Sequence, residues 1–217
     1  MSINIVRRLS GDLRQILMTF DDGPDPEHTP QVLDILAAAQ VRAIFFVVGT
    51  AARRHAALVR RILTEGHEIG NHTWSHHHPW LVRTSVACRE VAQATDALAD
   101  IVGRRPRYFR PPFGRLRRVM IDAAQELEQT VVLWSLSGRD WGPWGRAALI
   151  AKRLARAQPG DIILLHDARW HHNRPWEMLA TLADFLAGLS GKDLLSAPLS
   201  YNPPPILHES SAQASAF

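Results

Sequence analysis

Apolar and polar positions along the chain fall into blocks whose period switches repeatedly. Residues 16–20, Ile-Leu-Met-Thr-Phe, are a short apolar run that reads as a buried strand. The run stops at Asp21-Asp22, and Gly23-Pro24 forbids its continuation. Thr29-Pro30 supplies an N-cap and a first helical residue, predicting a helix to 39 with Val32, Leu33, Leu36 and Ala37 on one face. Residues 43–48 are continuously apolar up to Gly49, the pattern of a strand buried on both faces. A helix over 55–65 closes at Gly66, and a short strand over 67–71 runs into histidines. The alternation goes on with a helix over 85–102 before Gly103, a strand over 107–110, a helix over 118–126 and a strand over 130–134. A helix over 145–157, a strand over 161–165, a helix over 176–189 and a weak strand over 194–197 complete it.

Strands alternating with helices imply a parallel sheet with the helices outside. Seven strand candidates favour a closed barrel over an open sheet. The 217 residues suit one α/β barrel. We therefore expect a single domain over 1–201 and an irregular or disordered Pro-, Ser- and Ala-rich tail over 202–217.

Composition narrows the function classes. The net charge is +4, and Lys152 and Lys192 are the only lysines, so the basic side is arginine. Arg104, Arg105, Arg107, Arg110, Arg115, Arg117 and Arg118 cluster, yet no basic tail or nucleic-acid module accompanies them, so no nucleic-acid partner is expected. Cys88 stands alone, which excludes an internal disulfide and a cysteine-rich zinc site. Residues 1–14 lack an apolar signal segment, and the apolar stretch 43–49 is too short to span a bilayer. The expectation is a cytoplasmic protein without a membrane span.

The chemically loaded residues fall at the C-terminal ends of the strand candidates, where barrel enzymes build their sites. Adjacent carboxylates at Asp21-Asp22 repel each other, and burial raises that cost, so a cation beside them is the simplest remedy. Neighbouring strand residues point apart, which allows one carboxylate to bind a metal while the other acts on water. His72 and His76 are four apart and, with one carboxylate, make a two-histidine, one-carboxylate site with open positions. His77 and His78 adjoin them. In Arg110-Pro111-Pro112-Phe113-Gly114 two prolines fix the backbone, so the Phe113 amide can be set to polarise a carbonyl, and Arg110 is a natural carboxylate partner. Asp140-Trp141 ends one segment. His166 ends another, where an imidazole near neutral pKa suits a general acid.

In this order, TFDDGPD (19–25), HTWSH (72–76), RPPFG (110–114), GRDW (138–141) and LLHD (164–167) closely resemble the polysaccharide deacetylase family, carbohydrate esterase family 4. The resemblance runs over residues 17–168. It implies a distorted (β/α)7 barrel, one divalent metal such as Zn2+ or Co2+, and removal of N-acetyl groups from an N-acetylglucosamine-containing glycan. By the same resemblance Asp22, His72 and His76 are metal ligands, Asp21 the catalytic base, Arg110 the residue orienting it, and His166 the catalytic acid. Trp141 and Leu164 match the walls of the acetyl pocket, and Phe113 and Asp140 join them at the substrate site. One departure stands out: Ser137 occupies a position where many members carry a carboxylate, so Asp140 is expected to take over the contact to His166. A deformylase or deacylase of a small or lipid-linked substrate, and a non-catalytic carbohydrate-binding protein, remain the alternatives. Exposed tryptophans at 74, 80, 144 and 170 are candidates for stacking on sugar rings.

Overall fold

The computed structural model describes residues 5–10, 14–170, 172–189 and 195–196. The longest strand, β2 (Gln15–Asp21), is buried along almost its whole length. Parallel neighbours flank it: β3 (Ala43–Val47) on one side and β8 (Ile162–His166) on the other. From β3 the sheet continues through β4 (Glu68–Asn71), β5 (Tyr108–Phe109) and β6 (Thr130–Val132) to β1 (Ile5–Val6). On the far side β7 (Leu136–Ser137) pairs with β8, and β9 (Leu195–Ser196) pairs with the start of β2. Every strand ladder among the described residues is parallel, in keeping with the largely apolar runs at 16–20, 43–48 and 162–165.

Residues 133–135 connect β6, on the β5 side, directly to β7, on the β8 side. The chain itself thus bridges the ring at this point. Ser135 fastens the seam: its N–H donates to Ile162 O at 3.1 Å and its hydroxyl to Asp161 Oδ1 at 2.7 Å. The result is the expected single-domain distorted barrel, with α1 (Thr29–Ala38), α2 (Gly49–Arg54), α3 (Ala56–Thr64), α4 (Thr84–Val102), α5 (Arg118–Glu126), α6 (Ala147–Leu154) and α7 (Pro175–Ala187) outside. The largest core cluster joins Phe20, Phe45, Ile163 and Leu165 of the strands to Leu33, Leu36, Met178 and Leu182 of α1 and α7.

Several local expectations need correction. β1 and β7 are each two residues long, too short to carry a period, and were absent from the sequence reading. The expected helix at 55–65 is α3, and a short helix not expected, α2, precedes it; the two are separated at His55, whose φ of −123° and ψ of 44° leave the helical region. His28, not Thr29, is the N-cap of α1, because the Thr29 hydroxyl is committed elsewhere: it donates to Asp167 Oδ2 at 2.6 Å and accepts from Asp25 N–H at 2.8 Å. The β5 and β6 strands and α6 are shorter than expected. The tail 202–217 lies outside the described residues.

Candidate active site

The loops leaving β2, β4, β5, β7 and β8 meet at one end of the barrel around a cavity of about 220 Å³. Asp21, Asp22, His72, His76, Phe113, Trp141, Leu164 and His166 all line it. The loop backbone is strained at this end. Asp22 (φ 77°), Thr73 (67°), His76 (56°) and Phe113 (59°) all occupy the left-handed region that L-residues avoid. Gly114 follows Phe113 with φ 63°, and a Cβ there would lie 2.5 Å from the Trp134 ring, so that position requires glycine.

Asp21 and Asp22 have different partners. Asp21 Oδ1 accepts from Arg110 Nη1 at 2.6 Å. Arg110 is fully buried and also donates to Thr19 Oγ1, Val132 O and Leu133 O at 2.9, 3.0 and 3.1 Å. Its guanidinium lies 4.0 Å over the Phe46 ring. One cation from β5 therefore ties Asp21 on β2 to the end of β6.

Asp22 faces the histidines. Its Oδ1 lies 3.0 Å from His76 Nε2 and 3.3 Å from His72 Nε2, and the three donor atoms lie within 4.8 Å of one another. His72 Nδ1 sits 2.7 Å from Arg110 O, a carbonyl that can only accept, so the proton resides on Nδ1 and the neutral ring offers Nε2 as a lone pair. Asp22 Oδ1 is buried without a hydrogen-bond partner. Burial pushes the Asp22 carboxyl up, but the His72 and His76 imidazoles outweigh it and hold the group well below the carboxylate range. Burial also lowers His76, against the pull of Asp22, which favours the neutral imidazole that a metal requires. Two imidazole nitrogens and an unsatisfied carboxylate oxygen converging in a buried pocket suit a divalent cation.

His166 Nδ1 lies 2.8 Å from Asp140 Oδ1, and His166 N–H donates to Asp140 Oδ2 at 2.7 Å. Burial works against the charged ring, but the charge and hydrogen bond of Asp140, with Asp22 and Asp21 behind, raise its pKa to about 9. The carboxylate absent at Ser137 is thus not needed to hold this histidine. Trp141 packs edge-on against His166, with ring centroids 5.3 Å apart. Asp167 beside it is another matter. Burial raises its carboxyl to about 7, and a Cβ at Gly23 would come within 2.3 Å of its Oδ2.

The family model for polysaccharide deacetylases matches residues 10–132. The chain belongs to this family, carbohydrate esterase family 4. It is a hydrolase of that family. A chitooligosaccharide deacetylase of Bradyrhizobium sp. (strain ANU 289) is 39% identical over 168 residues, 75% of this chain and 76% of that protein. A peptidoglycan-N-acetylglucosamine deacetylase of Bacillus cereus is 37% identical over 176 residues, 80% of this chain and 81% of the relative. Among solved structures, the Bc1960 peptidoglycan N-acetylglucosamine deacetylase superposes with a TM-score of 0.84 at 30% identity, covering 91% of both chains. A family 4 carbohydrate esterase from Streptomyces lividans, in complex with acetate, gives a TM-score of 0.76 at 29% identity over 84% of this chain and 91% of that one.

Within this family frame, some residues at the site carried no sequence signal. Asn173 Nδ2 donates to Asp22 Oδ2 at 2.6 Å, and Asn173 bridges the backbone of Trp141. A single asparagine in the polar loop after β8 has no spacing to mark it. Arg153 on α6 donates from Nη1 to Gly138 O and Trp144 O, both at 3.0 Å, and so clasps the two ends of the segment carrying Asp140 and Trp141. Two of the four tryptophans expected to be exposed are not. Trp74 is half-buried under Arg53, 5.6 Å away, and Trp170 is half-buried in the cavity wall, against His76. Trp80 and Trp144 are exposed. Among the described residues no helix is long and apolar enough to cross a membrane, and Cys88 is free.

Proposed function

We propose that the protein is a metal-dependent N-deacetylase that releases acetate from N-acetylglucosamine units of a glycan. One observation carries this reading: Asp22, His72 and His76 converge on the wall of a single cavity beside Asp21 and His166, which Arg110 and Asp140 hold from behind. Asp22, His72 and His76 would hold a divalent cation, zinc by the donor set. When bound, such a cation supplies Lewis acidity and an acidified water. Asp21, fixed by Arg110, takes a proton from the water that attacks the acetyl carbonyl. Pro111 and Pro112 set Phe113 so that its amide N–H stabilises the developing oxyanion. His166, protonated at neutral pH, gives its proton to the leaving amine while Asp140 holds the ring. Trp141 and Leu164 exclude water around the acetyl methyl.

The substrate class is taken from the relatives' activities, one a chitooligosaccharide deacetylase and the other a peptidoglycan-N-acetylglucosamine deacetylase. Incubation of zinc-loaded protein with chitooligosaccharides and with peptidoglycan glycan strands, followed by acetate measurement, tests the reading. Acetate release from neither substrate, with zinc bound, rejects it.

A further inference from the structure

The turn that carries His72 and His76 is held in a conformation its own residues disfavour. Thr73 and His76 both have positive φ, 67° and 56°. Such a turn persists only where its surroundings fix it. Helices on two sides do so here. The first amides of α2, Gly49 N–H and Thr50 N–H, donate to Thr73 O and Trp74 O, both at 2.9 Å. Glu90 of α4 holds the next residues. Its Oε2 accepts from Ser75 N–H at 2.8 Å, its Oε1 from the Ser75 hydroxyl at 2.6 Å, and its carbonyl from Trp74 N–H at 3.0 Å. Glu68, also buried, is paired with Arg104 and Arg107. Glu90 is buried as well, yet among the described residues no cationic side chain pairs with it, and both its oxygens are given to Ser75. A buried carboxylate without a counter-cation is costly, and its charged hydrogen bonds to the turn are the strong ones that offset the cost.

We propose that Glu90 is a positioning residue for the divalent-metal site, holding the turn so that His76 Nε2 already faces Asp22 Oδ1 before an ion arrives. The inference rests on the metal reading of Asp22, His72 and His76, and adds to it a residue of α4 that does not line the cavity. Ser75 directly precedes His76, so the Glu90 carboxylate fixes the peptide from which that imidazole projects. Without this tie the turn relaxes toward negative φ and carries the ring away from its partners. The cost of re-ordering it then falls on metal binding and weakens it. A glutamine at this position can keep the tie. Its carbonyl oxygen accepts from Ser75 N–H, and its NH2 donates to the Ser75 oxygen, whose own proton rotates elsewhere.

The test titrates the metal-free full chain with Zn2+ by calorimetry, alongside denaturant unfolding of the same metal-free samples. Glu90→Ala should bind Zn2+ about ten-fold or more weakly, the usual reach of groups that orient metal ligands. Ser75→Ala, which removes one of the two side-chain ties, should weaken binding about three-fold, and Glu90→Gln should stay within about two-fold of the unaltered protein. The Glu90→Ala/Ser75→Ala double variant should bind no more weakly than Glu90→Ala alone, because the two changes break one interaction. Glu90→Ala with lowered stability but unaltered Zn2+ affinity makes Glu90 a residue of the fold only and overturns the assignment. Loss in Glu90→Gln as large as in Glu90→Ala, or additive losses in the double variant, overturns it too. If Glu90→Ala does not fold, Ser75→Ala decides, and unchanged Zn2+ affinity there rejects the role. His72→Ala binding Zn2+ as tightly as the unaltered protein removes the triad and this assignment together. Zn2+ binding that depends on Glu90, without acetate release from any glycan, leaves the assignment standing and removes the deacetylase reading instead.

Discussion

Asp22 Oδ1 sits 3.0 and 3.3 Å from two imidazole nitrogens with nothing donating to it. An acceptor so placed is costly unless a cation fills the gap. Asp22→Asn should therefore lose both metal and activity, since a neutral amide is a poor ligand. Asp21, one residue earlier, is tied to Arg110 instead. Asp21→Asn should keep its metal while acetate release falls by about 10²–10⁴-fold, the usual cost of a missing general base. Metal stoichiometry and acetate release, read side by side, separate the two; a metal-free Asp21→Asn beside a metal-bound Asp22→Asn would reverse the assignment. In the proposed mechanism His166 sets the basic side of the pH profile. Its pKa, raised to about 9, keeps the acid protonated below that value, so activity should decline as pH rises through it. A bound cation offsets the Asp22 and Asp21 contributions and brings the decline to lower pH, leaving Asp140 as the main support. Asp140→Asn should shift the limb to still lower pH. An unmoved limb in that variant would remove Asp140 from the role.

At the scale of elements, the site is held from behind. Arg153 reaches from α6 to the carbonyls at both ends of the Asp140-Trp141 segment. Arg153→Gln should lower kcat about ten-fold, with KM and metal content nearly unchanged, because a small displacement of a positioned group is expensive. Arg153→Lys should recover part of the loss, having one donor of the right charge. His67, just before β4, makes a second prediction. Its Nδ1 accepts from Ala43 N–H at 3.2 Å, and burial, with Arg42 adding to it against Glu65, lowers its pKa to about 4. The folded state thus binds the proton less readily than the unfolded chain. The stabilisation is complete above pH 6.5 and fades as pH falls from 6.5 toward 4. Discounted for partial solvation, the loss is about 2 kcal/mol. Denaturant titrations across that window, with His67→Gln as the control, measure it.

These elements also show what the chain's patterning conveyed. Runs such as Ile16 to Phe20, apolar but for Thr19, and Ala43 to Val48 are bounded by turn residues, and they became β2 and β3 next to each other in the sheet. Asp21, Asp22 and His166 were legible because they end such runs, and His72 and His76 because of their spacing of four; the structure brings all five to one cavity. Asn173 and Arg153 were not, since their contacts join segments distant in sequence and neither falls in a spaced motif. The short helix α2 was not read, because its six residues, Gly49 to Arg54, hold no large apolar side chain to mark a helical period.

Across the whole molecule, site and core depend on one another. Removal of the divalent ion with a chelator should lower the thermal midpoint, because binding to the folded state alone stabilises it by about 2.7 kcal/mol at a concentration 100 times Kd. A midpoint unaffected by chelation would show that the triad holds no structural ion. The seam at 133–135 extends this dependence to the backbone. Arg110 bonds Val132 O and Leu133 O at the same place where it fixes Asp21, and Ser135 fastens the other side to β8. If Asp21 acts as proposed, peptide continuity here is part of the catalytic apparatus. One protease cut placed between Trp134 and Ser135 should open the ring and loosen the Arg110–Asp21 pair, whereas the same cut at 103–105, in an exposed loop, should leave both intact.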